Sequence, residues 1–330
     1  MNAEVRLSLS RCLASLQRYR KVMDGSGLTL IPMLLPQTPP ALIEAVASLG
    51  WPTLACRDVR TASTLTDSQC GSRLWLLERT PARQQLLTLL TQCDASVACA
   101  ADHFVHAERL ADTAHQADTE IDLLLEVSPD VSRPGLRPGH EATQLAAAAL
   151  RLPRIRAVSV FTDECASLWT NGPFVSSPDL RETRSAFRTT AGMCAKEQLV
   201  LRNRAVQIPC RTVGSDWHES ITDILSAVPL IPDTAPSTEM DQSAALSVRC
   251  RVVSRPSLTT AVINVGADLL GCAHQPPMVI GAGHADPLRL GADWLSLSLK
   301  GAARDLVIGD AVELAVPATT NALRAARVIE

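Results

Sequence analysis

From residue 5 to about residue 230 the chain alternates short apolar runs with longer segments that repeat leucine and alanine at three-and-four spacing. The runs are VRLSL, LTLIPML, WPTLAC, RLWLLE, ASVACAAD, IDLLLEVS, IRAVSVFTDE and VQIPCRTV, and among the segments between them are PALIEAVASLG, PARQQLLTLLTQC, HAERLADTAHQA and HEATQLAAAALRL. Apolar runs of this length suit strands buried on both sides, and the intervening periodicity suits helices that cover them. The alternation therefore dictates βα units around a parallel sheet. Eight such units predict an α/β chain of the (β/α)8 barrel type rather than an open sheet.

The pattern breaks at PLIPDTAPSTEMDQSAA, near residues 229–245, which reads as a linker. Beyond it LSVRCRVVSRP, TTAVINVGAD, WLSLSLK and DAVELAVP read as strands separated by turns. The expected division is a barrel over residues 1–235 and a β domain over residues 236–330.

With 46% apolar residues in 330, the chain can fill a sizeable core. No run is long and apolar enough to predict a membrane span, and MNAEVRLSLSRCLASLQ lacks the apolar stretch and cleavage site of a secretory leader, so a cytoplasmic protein is expected. The 31 basic and 34 acidic residues are mixed along the chain without a basic stripe, which argues against nucleic acid as a partner. There is no GxGxxG after the first strand and no P-loop. The ten cysteines are scattered without a CxxC, several within apolar runs, and read as small buried hydrophobes.

Within IDLLLEVSPDVSRPGLRPGHEATQLAAAAL, the positions of Glu126, Arg133, Gly135, Pro138 and Gly139 match a Glu-Val-Asp-x-Gly-x-x-Arg-x-Gly-x-x-Pro-Gly run. VRLSLSRCLASLQRYR, VACAADHFVHAERLADTA with its Asp102, and VVSRPSLTTAVINVGADLL follow in the same order. This collinear series resembles the family of D-threonine aldolases and D-serine dehydratases, within the alanine-racemase-like fold. The resemblance implies pyridoxal phosphate chemistry at a barrel mouth and a homodimer whose β domain covers the partner's mouth.

The chain departs from that family where the cofactor would be held. The family opens its barrel with Arg-Pro-His-x-Lys-Thr-His-Lys, whose first lysine forms the aldimine. Aligned on Pro32, Met33 stands at the histidine and Leu35 at the lysine. Leucine has no amine for a Schiff base, and the chain has only three lysines, Lys21, Lys196 and Lys300, none at a predicted strand end. The family's glycine-rich phosphate loop corresponds to CRTVGSDWHES, with Gly214 as its one glycine and Asp216 adding negative charge. Pro317, Ala318 and Thr319 stand where the family has a His-x-Cys, so no metal is expected. The expectation is an enzyme without a cofactor.

In a parallel barrel the working groups come from the C-terminal strand ends. Those ends carry Arg57 with Asp58, Glu78 with Arg79, Asp102 with His103, Glu126 with Arg133, Asp163 with Glu164, and Arg211 with Ser215 and His218. The family's Tyr-x-Gly-His run reads Phe161, Thr162, Asp163, Glu164 here, so a histidine has become a carboxylate. Carboxylates in a closing pocket and imidazoles can move protons near neutral pH. Glu164, Asp163, His103 and Glu78 are the candidate acid-base groups, with pairing to Arg57 or Arg133 and helix entry as their structural alternatives. Arg57, Glu126, Arg133, Arg211, Ser215 and His218 are the candidate substrate-binding groups, since arginines grip carboxylates and phosphates through two hydrogen bonds.

The function expected is cofactor-independent acid-base chemistry on a small amine, amino acid or carbonyl metabolite. An example is amine and aldehyde condensation with Pictet-Spengler-type closure. Two alternatives stand beside it: a non-catalytic binding subunit, and an aldolase or dehydratase relative that holds pyridoxal phosphate non-covalently.

Overall fold

The structure is a computed structural model. It describes residues 3–25, 27–67, 72–129, 135–163, 181–207, 222–228, 245–270, 277–281, 284–316 and 320–329. The expected linker near residues 229–245 lies almost wholly outside them.

The chain opens with β1 (Glu4–Ser8) and α1 (Leu9–Gly25), followed by β2 (Thr29–Leu34), α2 (Pro40–Ala47), β3 (Thr53–Cys56) and α3 (Val59–Asp67). It continues through β4 (Arg73–Leu76), α4 (Arg83–Gln92), β5 (Ser96–Ala101), α5 (Phe104–Gln116), β6 (Ile121–Glu126) and α6 (His140–Ala149). Then come β7 (Ile155–Asp163), α7 (Arg181–Lys196), β8 (Leu201–Gln207) and β9 (Asp223–Val228). Strands β2 to β9 pair in parallel and close into a barrel, the last pairing with the first from Thr29 opposite Asp223 to Leu34 opposite Val228.

The C-terminal part is antiparallel and built on β10 (Leu246–Ser257), β11 (Thr260–Ile263), α8 (Ala267–Leu270), β12 (Met278–Ile280) and β13 (His284–Leu290). It ends with β14 (Leu295–Lys300), β15 (Ala311–Ala315), α9 (Thr320–Ala325) and β16 (Ala326–Ile329). The fold is thus a (β/α)8 barrel with a C-terminal β domain.

The barrel strands are not quite those expected. VRLSL is a strand, but β1 pairs with β10 and β16 in the C-terminal sheet, and β9, the segment DILSAV, closes the barrel in its place. The physical reason is burial on one face rather than two. In β1 Val5 and Leu7 are buried while Glu4 and Arg6 are half-buried and bonded to each other, whereas all six residues of β6 are buried. A strand alternating apolar and charged residues fits a sheet with one wet face, and a continuous apolar run fits a parallel barrel wall.

Alternate barrel residues divide into two layers. Leu30, Leu34, Leu54, Cys56, Leu74, Leu76 and Leu123 face the helices in the larger core. Ile31, Met33, Ala55, Trp75, Leu77, Ala98, Ala100, Leu124, Phe161 and Ala205 fill the lumen as a separate apolar plug. Small and large residues sit side by side there: Ala55 and Ala98 flank Trp75 in register.

Below the plug, at the N-terminal end of the barrel, lies an ionic layer. The Asp122 side chain, 5% exposed, accepts from Arg156 Nε at 3.0 Å and from Arg202 Nη1 at 2.5 Å. Asp223 accepts from Asn203 Nδ2 and Thr222 Oγ1, each at 2.7 Å. Polar groups at this end of a barrel serve stability.

Burial pushes the Asp223 carboxyl above its usual range, against the downward pull of Thr222, Asn203 and the Arg73 charge. A raised value in the folded state means that folding favours the protonated form. The penalty is therefore absent below the ordinary carboxylate range and grows as pH rises through the raised value. Asp223→Asn is expected to raise the melting temperature at neutral pH and leave it unchanged at about pH 3, measured by paired thermal melts.

Of the described cysteines, Cys12, Cys56, Cys99, Cys194 and Cys250 are buried and Cys93 is half-buried, and burial pushes Cys12, Cys99 and Cys250 up to about 12. They pack as apolar groups, as their sequence setting predicts. No helix among the described residues is long and apolar enough to cross a membrane.

Candidate functional site

Above the apolar plug, strands β3, β4, β6 and β7 leave a cavity of about 240 Å³. Leu77 and Phe161 form its floor, and Arg57, Glu78, Arg79, Thr80 and Glu126 line it. The polar ring read from the strand ends is therefore partly assembled here.

Arg79 is the hub. Its Nε and Nη2 donate to the two carboxylate oxygens of Glu126 at 2.5 and 2.6 Å. Its Nε also lies 3.5 Å from Asp102 Oδ2, and the other Asp102 oxygen is 2.8 Å from Nδ1 of His106. Glu126, Arg79, Asp102 and His106 so form one chain across the ends of β4, β5 and β6 and into α5. The Glu126 side chain is 6% exposed and that of Arg79 is 36% exposed, so the pair joins a buried anion to a cation that water reaches.

The other candidates fall in different settings. Glu78 Oε2 accepts from the Val59 amide at 2.9 Å, tying the end of β4 to the start of α3. Asp58 caps the same helix through Thr61 N at 3.0 Å. His103 is the N-cap of α5, where its Nδ1 accepts from Val105 N at 3.2 Å. The cap is the histidine, and this leaves Asp102 to face Arg79 and His106. Arg57 lines the cavity. Asp163 ends β7, opposite Gln207 of β8. Arg133, Glu164, Arg211, Ser215 and His218 lie outside the described residues.

Two residues to which sequence reading gave no role are central to the site: His106, which it did not single out, and Arg79, which it placed at a strand end beside Glu78. His106 had a local signal, since Asp102 and His106 are four residues apart at a helix start and so meet on one face. The pairing of Arg79 had no local signal, because its partner Glu126 is 47 positions away and only the register of β4, β5 and β6 brings them together.

Leu35 follows β2 and continues the inward alternation of Ile31 and Met33. It is half-buried and packs on the lumen plug. The lysines are elsewhere: Lys21 is exposed in α1, Lys196 is exposed at the end of α7, and Lys300 bonds Asp286 at 2.9 Å in the β domain.

Two glycines of the Glu126 run have backbone reasons. Gly135 has φ of +112°, and an added Cβ would lie 3.2 Å from the carbonyl oxygen of Glu126. The Leu136 amide donates to that same carbonyl at 2.8 Å, which holds the loop beside Glu126. Gly139 has φ of +84° and donates its amide to Thr190 Oγ1 at 2.9 Å.

The family model for the alanine racemase N-terminal domain matches residues 40–209, more than half of the chain. The chain belongs to this family. Solved structures extend the likeness over the β domain. A D-threonine aldolase from Filomicrobium marinum is 18% identical with a TM-score of 0.72, covering 98% of this chain and 88% of that one. A D-threo-3-hydroxyaspartate dehydratase from Delftia sp. HT23 is 15% identical with a TM-score of 0.68, covering 99% and 94%. An alanine racemase of Clostridium difficile 630, in complex with cycloserine, is 12% identical with a TM-score of 0.62, covering 95% and 86%. At such identities the shared feature is the fold. No curated protein matches by sequence. Family membership agrees with the sequence resemblance.

Proposed function

We propose that this family member uses its barrel mouth without pyridoxal phosphate, to bind and turn over a small amine, amino acid or carbonyl metabolite by acid-base chemistry. The observation that carries this reading is Leu35. By the sequence resemblance, aligned on Pro32, it takes the position of the family's aldimine lysine, and its half-buried side chain packs on the lumen plug. The residues present do not fit a covalently attached pyridoxal phosphate, because no lysine lies at the mouth and no other side chain forms a stable Schiff base.

The remaining groups suit a small charged substrate. A cavity of about 240 Å³ falls below the range of about 300–1,000 Å³ typical of drug-sized ligands and matches an amino-acid-sized molecule. Arg57 and the exposed part of Arg79 supply donors for a carboxylate or carbonyl oxygen, and Glu78 and Glu126 supply acceptors for an amine. Proton transfer falls to carboxylates and imidazoles of the strand ends: Asp163, Glu164, His103, Glu78 and the Asp102 and His106 pair. Condensation of an amine with an aldehyde, including Pictet-Spengler-type closure, is one reaction whose proton movements such a ring serves.

A second reading, a non-catalytic binding subunit, is favoured by the bonds these acids already make. Glu126 has both oxygens on Arg79, and Glu78 holds the Val59 amide. The two readings separate in one experiment. Purified protein is screened by thermal shift and native mass spectrometry against amino acids, amines and aldehydes, singly and in pairs. The enzyme reading predicts stabilisation by a single compound, weakened at least tenfold in affinity by Arg57→Gln, and a new product mass from a pair. Binding without product supports the binding subunit, and no binding by any compound overturns both.

A further inference from the structure

A second cavity, of about 290 Å³, lies outside the barrel between α4 and α5. Arg79, Arg83, His106 and Arg109 are among its lining residues. We infer that this cleft is a binding site for a small organic anion, a phosphate ester or a carboxylate with a short apolar body.

Charge is the first reason. The guanidinium groups of Arg83 and Arg109 line the cleft against one carboxylate, that of Asp112, while the third, that of Arg79, is bonded to Glu126. Asp102, the nearby acid, is already bonded to His106 and paired with Arg79. Among the described residues Arg83 and Arg109 form no ion pair. Cations in excess of anions around a concave surface raise the local concentration of a negative ligand, and planar guanidinium groups match phosphate and carboxylate oxygens.

Local backbone and the walls add to this. Helix α4 starts at Arg83, and its N-cap Ala82 offers no side-chain acceptor to the first-turn amides. The positive end of that helix thus adds its partial charge beside the arginines. Pro81, Leu86 and Leu110 give the cleft an apolar wall, which a bare inorganic ion does not use and a short hydrocarbon does. Arg79 borders both this cleft and the mouth, but the anion site stands whether or not the mouth catalyses.

Isothermal titration of the full chain with inorganic phosphate and, separately, with hexanoate tests the inference at low ionic strength. Saturable binding of either ligand is expected, weakened at least tenfold in Arg83→Gln/Arg109→Gln and weakened less in Arg83→Lys/Arg109→Lys, which keeps the charge and loses the fork. Arg289→Gln, exposed in the β domain away from both cavities, is expected to bind as the wild type does. Tighter binding of hexanoate identifies a carboxylate with an apolar body as the ligand, and tighter binding of phosphate identifies a phosphoryl group. No saturable binding of either ligand, or equal binding by the Gln double variant with unchanged circular dichroism, overturns the site.

Discussion

Replacing Arg79 by methionine is expected to lower stability by about 3 kcal/mol, read by urea denaturation at neutral pH. Truncating one partner of a buried ion pair costs about 3–5 kcal/mol because the other charge stays in a poorly hydrated place. Glu126 is in such a place, with 6% of its side chain exposed and both oxygens on the guanidinium. Arg79 is 36% exposed, and water entering its place holds the cost to the lower end of that range. The paired change Arg79→Met/Glu126→Leu is expected to recover most of the loss, since an apolar pair of similar volume commonly replaces a buried ion pair without cost. A double variant no more stable than the worse single variant would mean that other partners hold Glu126 in place. Any turnover at the mouth should fail in Arg79→Met, in Glu126→Leu and in the double variant, because each removes the donor or the acceptor of the cavity.

The second large effect is expected at Trp75. Its side chain is 2% exposed in the lumen, between Ala55 and Ala98 on the neighbouring strands. Two alanines beside it leave no atoms to close the gap, so Trp75→Ala should cost about 3–5 kcal/mol as a cavity in a closed ring that cannot collapse. The urea midpoint should fall with little change in its slope. A cost below about 1 kcal/mol would contradict a packed lumen. Because Leu77, Phe161 and Leu35 rest on the same plug, Trp75→Ala should also loosen ligand binding at the mouth more than its distance from the polar groups suggests.

The barrel was legible in the sequence because period and burial agree. Continuous apolar runs such as Leu123 to Leu125 can serve only a strand covered on both faces, and the helices between carry a single apolar stripe. The first strand was misplaced because strand propensity alone does not distinguish a one-faced sheet from a barrel wall. The charged Arg6 between Val5 and Leu7 was the discriminating residue. DILSAV does not read as a barrel strand because its first residue, Asp223, is an acid that becomes acceptable only when Asn203 and Thr222 reach it.

The site was legible residue by residue but not as pairs. The strand ends named Glu126, Arg57 and Glu78 as mouth residues, and these do line the cavity. What each touches depends on register across three strands. Arg79 meets Glu126 and Asp102 only because β4, β5 and β6 are neighbours in order, and Glu78 is drawn to the Val59 amide by the βα turn of the preceding unit. The family likeness was legible for a different reason. Gly135 and Gly139 match the family's run at positive-φ positions that a side chain would strain.

The proposed independence of this mouth from a covalently held pyridoxal phosphate is checked by incubating the purified protein with that compound, reducing with borohydride and mapping any modified lysine by peptide mass. No stoichiometric adduct and no absorbance band of a bound imine are expected, with at most trace labelling spread over Lys21, Lys196, Lys300 and the amino terminus. A single lysine modified in full, and protected by an amino acid that competes for the mouth, would contradict it.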